Sequence, residues 1–110
     1  MIINFDKIEA VKNENFKGGE KCFFTQIFAD EKNKIIKGRL EPGGSIGMHR
    51  HEGNSETIII QEGNGKVVYE GEEIKLQAGD VHYCAEGCEH SLINDSDDDL
   101  HVLAIIPTHA

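Results

Sequence analysis

Turn-forming residues recur at short intervals along this chain, and no long segment between them has the periodicity of an α-helix. Twelve glycines and two prolines are spread over 110 residues. The segments between the turns are rich in β-branched and aromatic residues, which favour extended strands. Many short strands separated by turns are typical of an antiparallel sandwich or barrel. The sequence therefore predicts an all-β protein.

Individual strands and turns can be placed from this pattern. The clearest strands cover residues 21–29, 34–40, 57–61, 66–69, 73–77 and 101–106. Asn64-Gly65 lies between two of these strands, and Asn-Gly is a strong signal for a two-residue hairpin. Glu70, Gly71 and Glu72 predict a second hairpin. Only residues 5–12 have a pattern compatible with a short helical turn.

The composition bounds the class of protein. Hydrophobic residues make up 38% and charged residues 28% of the chain, which excludes an intrinsically disordered chain and a membrane-spanning one. Eleven basic and twenty acidic residues give a net charge of −9, which argues against partners such as nucleic acid or an anionic membrane. At this length we expect one domain over residues 1–110.

The cysteines bear on the cellular compartment. Cys22, Cys84 and Cys88 are an odd number, and the N-terminus has no basic segment followed by an apolar one. We therefore expect reduced thiols and a cytoplasmic location. His82 and His90 flank two of the cysteines, so a tetrahedral zinc site is an alternative, although structural zinc sites space their ligands differently.

A short stretch contains residues with the spacing of metal ligands. His49 and His51 are two residues apart, and alternate side chains of a strand point to the same face. Two neutral imidazoles on one face can share a metal ion. Glu56 would point to the opposite face of an unbroken strand, but the turn-forming residues 52–55 can restore its side. His90 is the best candidate for a fourth ligand, which completes a predicted metal site.

The same residues resemble the two sequence motifs of the cupin family. The first motif, over residues 43–63, is matched at every spacing by Gly43, His49, His51, Glu56 and Gly63. The second motif, over residues 79–94, is matched by Gly79, Gly87, His90 and Asn94. Ala85 stands where the family usually has proline, which removes a rigid turn but no ligand. The resemblance implies a double-stranded β-helix, a jelly-roll-like antiparallel barrel of about ten strands with the metal inside.

The resemblance also implies a range of functions. Cupins include dioxygenases, decarboxylases, sugar isomerases and epimerases, lyases, and proteins that only bind or store. The ligand set suits one divalent transition metal ion, and Fe, Mn, Ni, Co, Zn and Cu all remain open. We expect a metal-dependent enzyme that acts on a small oxygenated substrate, either a carboxylate or a sugar derivative. A non-catalytic protein that binds or senses a small molecule is the alternative.

Three further side chains are candidates for catalysis. His82 and Tyr83 are consecutive on a predicted strand, so one of them faces the barrel interior and could act as a general acid or base. Arg39 could pair with a substrate carboxylate if its face of the strand points inward. The alternative for all three is a packing role or contact with solvent.

The oligomeric state can also be predicted. Small cupins with one barrel are often homodimers, so the resemblance favours a homodimer here. The neighbouring pairs Ile58/Ile59 and Ile105/Ile106 place apolar groups on both faces of their strands. Such strands are typical of sheets that are covered on both sides, which is consistent with a covered outer face.

Overall fold

Two antiparallel β-sheets form the walls of a barrel in the computed structural model, which describes residues 1–109. The strands are β1 (Val11–Glu14), β2 (Cys22–Ala29), β3 (Asn33–Leu40), β4 (His49–Arg50), β5 (Glu56–Glu62), β6 (Asn64–Tyr69), β7 (Glu72–Gln77), β8 (Val81–Cys84), β9 (Glu89–Ile93) and β10 (Leu100–Pro107). The first sheet has the order β1-β2-β3-β10-β5-β8, and the second has the order β4-β9-β6-β7. The predicted all-β class and jelly-roll-like double-stranded β-helix are confirmed.

The core lies between the two sheets and follows the alternation of side chains along each strand. In β5, Ile58 and Ile60 are buried, while Ile59 between them faces outward and is half-buried. The buried apolar residues come from both sheets and form one cluster. They are Phe23, Ile36, Leu40, Ile46, Ile58, Ile60, Val67, Leu76, Leu92, Leu100, Val102 and Ala104.

The six predicted strands are confirmed, with ends that shift by one or two residues. The predicted turn at Glu70 and Gly71 is also confirmed, because both residues have positive φ angles of 46° and 83° and β6 pairs with β7 across them. Residues 5–12 form only a single turn of 3₁₀ helix over Phe5–Lys7, and β1 begins at Val11.

The hairpin predicted at Asn64-Gly65 is wrong. Both residues belong to β6, which pairs with β7 and β9, whereas β5 pairs with β8 and β10 in the other sheet. The chain instead turns a barrel corner at Gly63, whose φ is +94° and where a Cβ would lie 2.6 Å from the carbonyl oxygen of Asp99. The glycines here allow close backbone contact between the sheets and do not form a hairpin.

A second close contact holds a loop against the barrel mouth. The 3₁₀ turn Phe16–Gly18 packs on the segment before β4, and the Gly47 amide donates a hydrogen bond to the Phe16 carbonyl at 3.0 Å. A Cβ on Gly47 would lie 1.9 Å from the Lys17 carbonyl oxygen. Only glycine therefore lets these two backbones meet.

No helix in residues 1–109 is long and apolar enough to cross a membrane.

Candidate metal centre

Four potential metal-ligating side chains converge on one point inside the barrel. One ligand atom each from His49, His51, Glu56 and His90 lies within 4.8 Å of all the others. His51, Glu56 and His90 are buried, with exposed fractions of 6%, 8% and 1%, and His49 is half-buried. The structure thus brings together all four residues that the sequence predicts as ligands.

Backbone pairing from both sheets positions these side chains. His49 in β4 pairs with His90 in β9, which places two imidazoles side by side in the smaller sheet. Two backbone hydrogen bonds, His51 N to Cys88 O at 3.0 Å and Gly87 N to His51 O at 2.7 Å, anchor His51 just beyond β4. The turn of the second motif therefore holds a histidine of the first motif.

Glu56 reaches the cluster because the chain changes sheet between residues 52 and 55. Glu56 is the first residue of β5, which belongs to the larger sheet. Ser55 is buried, and its Oγ lies 2.8 Å from Nε2 of His109, while Asn54 forms a β-bridge with Thr108. Through this connection the side chain of Glu56 returns to the same side as His49 and His51, as predicted from the turn-forming residues.

The outer nitrogen of each ligand histidine has a hydrogen-bond partner. Nδ1 of His49 lies 2.7 Å from the Gly47 carbonyl oxygen, and Nδ1 of His51 lies 2.8 Å from Oδ1 of Asn54. Both oxygens only accept hydrogen bonds, so both Nδ1 atoms must carry the proton. In the neutral imidazole, Nε2 then has a free lone pair directed at the cluster. Such outer-shell contacts are typical of histidines that ligate metals.

The spacing of the inner atoms fits a cation. Nε2 of His51 lies 3.1 Å from Nε2 of His90, and Oε1 of Glu56 lies 3.0 Å and 2.9 Å from these two nitrogens. Two lone pairs and a carboxylate at such distances repel one another unless a proton or a metal ion lies between them. Imidazole nitrogen and carboxylate oxygen are a suitable donor set for a divalent transition metal.

The charges in the cluster also favour a bound cation. Burial would raise the pKa of Glu56, but the hydrogen bonds that His51 and His90 donate when their Nε2 atoms are protonated outweigh it and lower the pKa to about 2. Glu56 is therefore a carboxylate at neutral pH. The hydrogen bond to Glu56 raises the pKa of His51, whereas burial lowers the pKa of His49. The site is thus a buried anion surrounded by nitrogen donors, which attracts a positive ion.

Comparison with known proteins identifies the family. Residues 37–106 match the cupin domain family Cupin_2. The chain belongs to the cupin family. It is 29% identical to an oxalate-binding protein from Thermotoga maritima, over 96% of this chain and 93% of that protein. The predicted membership of the family is confirmed.

Solved cupin structures resemble this one in fold. A crystal structure of a predicted oxalate decarboxylase from Thermotoga maritima has a TM-score of 0.92 and 29% identity, over 98% of this chain and 99% of that chain. A sugar phosphate isomerase from Silicibacter pomeroyi has a TM-score of 0.81 and 19% identity, over 100% of this chain and 76% of that chain. The latter similarity concerns the fold alone.

His82 lies behind the cluster of this cupin and does not line its cavity. It is buried, and its Nε2 lies 2.9 Å from Nδ1 of His90. Burial and the neighbouring His90 lower the pKa of His82 to about 4, so His82 is neutral at physiological pH and its Nε2 can accept a hydrogen bond from the Nδ1–H of His90. This contact directs Nε2 of His90 to the cluster. This position suits a role of His82 in positioning His90, and the acid–base role expected from the sequence stays a prediction.

The other two predicted catalytic residues lie outside the barrel interior. Tyr83 points to the outer face of the larger sheet and is 56% exposed. Arg39 also points outward, where it forms an ion pair with Asp99 at 3.3 Å and stacks over the Phe24 ring at 4.0 Å. The structure brings neither residue to the cluster, because both occupy outward positions in the strand alternation.

The cysteine-containing alternative for the metal site is not supported by the geometry. The described group of four converging donors contains neither Cys84 nor Cys88. Cys84 is fully buried, and burial raises the pKa of its thiol to about 12, so it is a protonated apolar residue. Its Sγ contacts the Cys88 carbonyl oxygen at 3.6 Å.

Ala85, which replaces the usual proline, begins a turn that is closed by a hydrogen bond from Cys88 N at 3.1 Å.

Sequence reasoning missed the residues that orient the ligands. Asn54 was predicted only as part of a turn, although an amide three residues after His51 is a possible signal for a side-chain contact. The Gly47 carbonyl gives no side-chain signal at all.

A cavity of about 450 Å³ opens directly beside the cluster, so a ligand can approach the metal-binding atoms.

We expect purified, untagged protein to contain close to one equivalent of a transition metal per chain, because the four donors form a complete site. The His49→Ala/His51→Ala double variant should lose at least nine tenths of it, since two nitrogen donors are removed. Metal content is measured by inductively coupled plasma mass spectrometry. His101→Ala, which alters a histidine on the outer face, is the matched control. Retention of metal by the double variant, or none in the wild type after reconstitution, would contradict the site.

We also expect His82→Ala to weaken zinc binding about 10- to 100-fold, because Nδ1 of His90 loses its partner. His82→Gln should restore part of the affinity, since its side-chain oxygen can accept the same hydrogen bond. Affinity is measured by competition with a chromophoric chelator, and Tyr83→Ala is the neighbouring control. A dissociation constant for His82→Ala within twofold of the wild type would exclude the positioning role.

Proposed function

We propose that this cupin is a metal-dependent enzyme that acts on a small oxygenated substrate, a carboxylate or a sugar derivative, bound in the barrel. His49, His51, Glu56 and His90 hold one divalent transition metal ion in this proposal. The observation that carries it is the convergence of four donors, with oriented histidines, on the wall of a cavity. The identity of the metal among Fe, Mn, Ni, Co, Zn and Cu stays open.

The protein's own groups have defined tasks in this proposal. Glu56 neutralises part of the charge of the ion, and the three histidines contribute nitrogen donors without charge. A bound ion of this kind polarises a carboxylate or carbonyl group or activates a water molecule. The Asn54, Gly47 and His82 contacts keep the donors oriented, and the apolar barrel wall limits the access of water. Because Tyr83 and Arg39 lie outside the cavity, the proposal gives them no catalytic role.

A non-catalytic binding protein is the second candidate. The Thermotoga relative is named an oxalate-binding protein, and it has 29% identity over almost the whole chain. The similar crystal structure from the same organism carries the name of a predicted oxalate decarboxylase. The two names correspond to the two candidates, and both concern a small carboxylate. Oxalate therefore belongs among the first compounds to test.

Turnover with defined metals tests the enzymatic proposal. The protein is stripped of metal, reconstituted separately with each of the candidate metals, and incubated with oxalate, other organic acids and uronic acids. Substrate loss is followed by NMR, carbon dioxide release by mass spectrometry, and oxygen consumption with an electrode. We expect turnover with at least one metal, and a loss of at least 100-fold in the His49→Ala/His51→Ala variant, because the reacting group needs the ion.

Two results would contradict the enzymatic proposal. Saturable binding of a compound without turnover under any metal would favour the binding protein. Turnover that persists unchanged in the double variant would show that the reaction does not use the metal centre. His101→Ala is again the control, since His101 lies on the outer face and should leave turnover unchanged.

We further propose a homodimer that forms through the outer face of the larger sheet. Ile59, Leu103 and Ile105 point outward from the middle of this sheet and are only partly buried. Val81 and Tyr83 at its edge are 60% and 56% exposed. A contiguous apolar surface of this kind is typical of a protein interface.

The three free cysteines are consistent with the reducing cytoplasm that we propose as the location of the protein.

We expect light scattering at micromolar concentration to give the mass of two chains. The Val81→Lys/Tyr83→Lys double variant should shift the protein toward the monomer, because it places two positive charges in the interface. Ile74→Lys is the matched control, since Ile74 is 41% exposed on the other sheet. A monomeric wild type, or a dimer that is equally stable in the double variant, would exclude this interface.

A further inference from the structure

One part of the wall of the cavity beside the metal centre is aliphatic. Ile36, Ile58, Leu92, Val102 and Ile106 line it from both sheets. Four of the five are buried in the core, and Ile106 packs against that core. A cavity of about 450 Å³ with such a wall offers van der Waals contact over this part of its surface. It suits the hydrocarbon part of a ligand.

Two polar side chains of this wall are already engaged within the protein. Nδ2 of Asn13 donates hydrogen bonds to Oγ1 of Thr25 and to the Phe23 carbonyl, both at 3.0 Å. Oδ1 of Asn54 accepts a hydrogen bond from His51. Hydroxyl groups of a sugar that lie against the aliphatic part of the wall would find no partners there, and an unpaired buried hydroxyl opposes binding. The cavity therefore selects against a ligand with many hydroxyl groups.

A positive charge stands at the mouth of the same cavity. Lys17 lines the cavity together with His49 and His51. No ion pair of Lys17 occurs in residues 1–109. Arg50, the basic residue between two of the ligands, is instead neutralised by Glu89 at 3.5 Å. Lys17 has no carboxylate partner in this part of the chain, although its Nζ lies 5.7 Å from the centre of the Phe16 ring. The carboxylates of Asp30 and Glu52 also line the cavity, so the charge around Lys17 is mixed.

The backbone fixes Lys17 relative to the metal ligands. Its φ angle of 57° is in the left-handed region, which is unusual for a residue with a side chain. Gly47 holds this conformation in place through its contact with the Lys17 carbonyl and its hydrogen bond to Phe16. The carbonyl of the same Gly47 orients His49. One glycine therefore connects the position of the lysine to the position of a metal ligand.

We propose that the cavity binds an organic acid with a hydrocarbon body, whose carboxylate pairs with Lys17 while the body contacts the aliphatic wall next to the metal centre. This inference rests on the proposed function and narrows its substrate class from carboxylates or sugar derivatives to apolar acids. Lys34 also lines the cavity, from the start of β3, and adds a second positive charge at its mouth. The same volume leaves much space unfilled around oxalate, which has no hydrocarbon body.

Three probes of equal chain length separate the parts of this proposal. Hexanoate has the carboxylate and the hydrocarbon chain, hexanamide lacks the charge, and gluconate replaces the chain by hydroxyl groups. Dissociation constants are measured by isothermal titration calorimetry with zinc-loaded wild-type protein. We expect hexanoate to bind at least tenfold more tightly than either of the other two. Equal or tighter binding of gluconate would overturn the hydrocarbon part, and equal binding of hexanamide would overturn the anion part.

Variants then test the lysine. We expect Lys17→Met to weaken hexanoate binding about five- to tenfold, because an ammonium–carboxylate contact is lost, and to leave hexanamide binding unchanged. Lys17→Arg should retain most of the affinity. Lys37→Met, on the outer face of β3, is the control and should bind hexanoate like the wild type. An unchanged affinity in Lys17→Met, or a larger loss in Lys34→Met, would overturn the role of Lys17.

Binding and turnover report separately on the two proposals. Tight hexanoate binding without turnover of any acid would contradict the enzymatic function and support the ligand class. Metal-dependent turnover confined to hydroxylated acids, with gluconate bound in preference to hexanoate, would support the enzyme and overturn the ligand class.

Discussion

The burial of one carboxylate between the two sheets is the constraint on which the site depends. Glu56 is the one acidic residue among the buried residues of the described chain, and a buried charge is stable only with close partners. Its partners His51 and His90 come from the neighbourhood of the smaller sheet, while Glu56 begins a strand of the larger sheet. The two sheets must therefore close in one register for the charge to be neutralised. A metal ion at the same point would add a further cross-link between them.

Hydrogen bonds to one backbone carbonyl and two side chains hold this arrangement in place. The Gly47 and Asn54 oxygens and the His82 imidazole fix the outer nitrogens of the three histidines, so that the inner nitrogens face one another. Gly47 also contacts Lys17, which joins the cavity mouth to the metal ligands through one residue without a side chain. A change in this loop would alter ligand binding and metal-site geometry together. Hydrogen bonds that orient metal ligands in this way commonly affect the affinity of a metal site.

The fold and the chemistry of this cupin are separate questions. Similar barrels occur in proteins named for oxalate binding, for a predicted decarboxylation and for sugar phosphate isomerisation. One fold can host different functions, so the candidate ligand set alone does not choose a substrate. The cavity wall and the charge at its mouth make that choice, because they contact the part of a ligand that does not touch the metal. Here those features are aliphatic side chains and Lys17.

The sequence by itself determined the strand-rich class, most strand positions and the four candidate ligands. Strand alternation and turn chemistry are local properties, and the His49, His51, Glu56 and His90 spacings can be read directly from the chain. The sequence could not decide which strands pair. Asn64-Gly65 therefore resembled a hairpin, although β5 and β6, the strands on either side of the Gly63 corner, belong to different sheets. Nor could it decide that His82 faces inward and that Tyr83 and Arg39 face outward, because alternation gives opposite faces without saying which one is the interior. Only the closure of the two sheets defines an inside, and only that closure brings His82 and Lys17 to the cluster, whereas Asn54 and Gly47 lie next to their histidines along the chain.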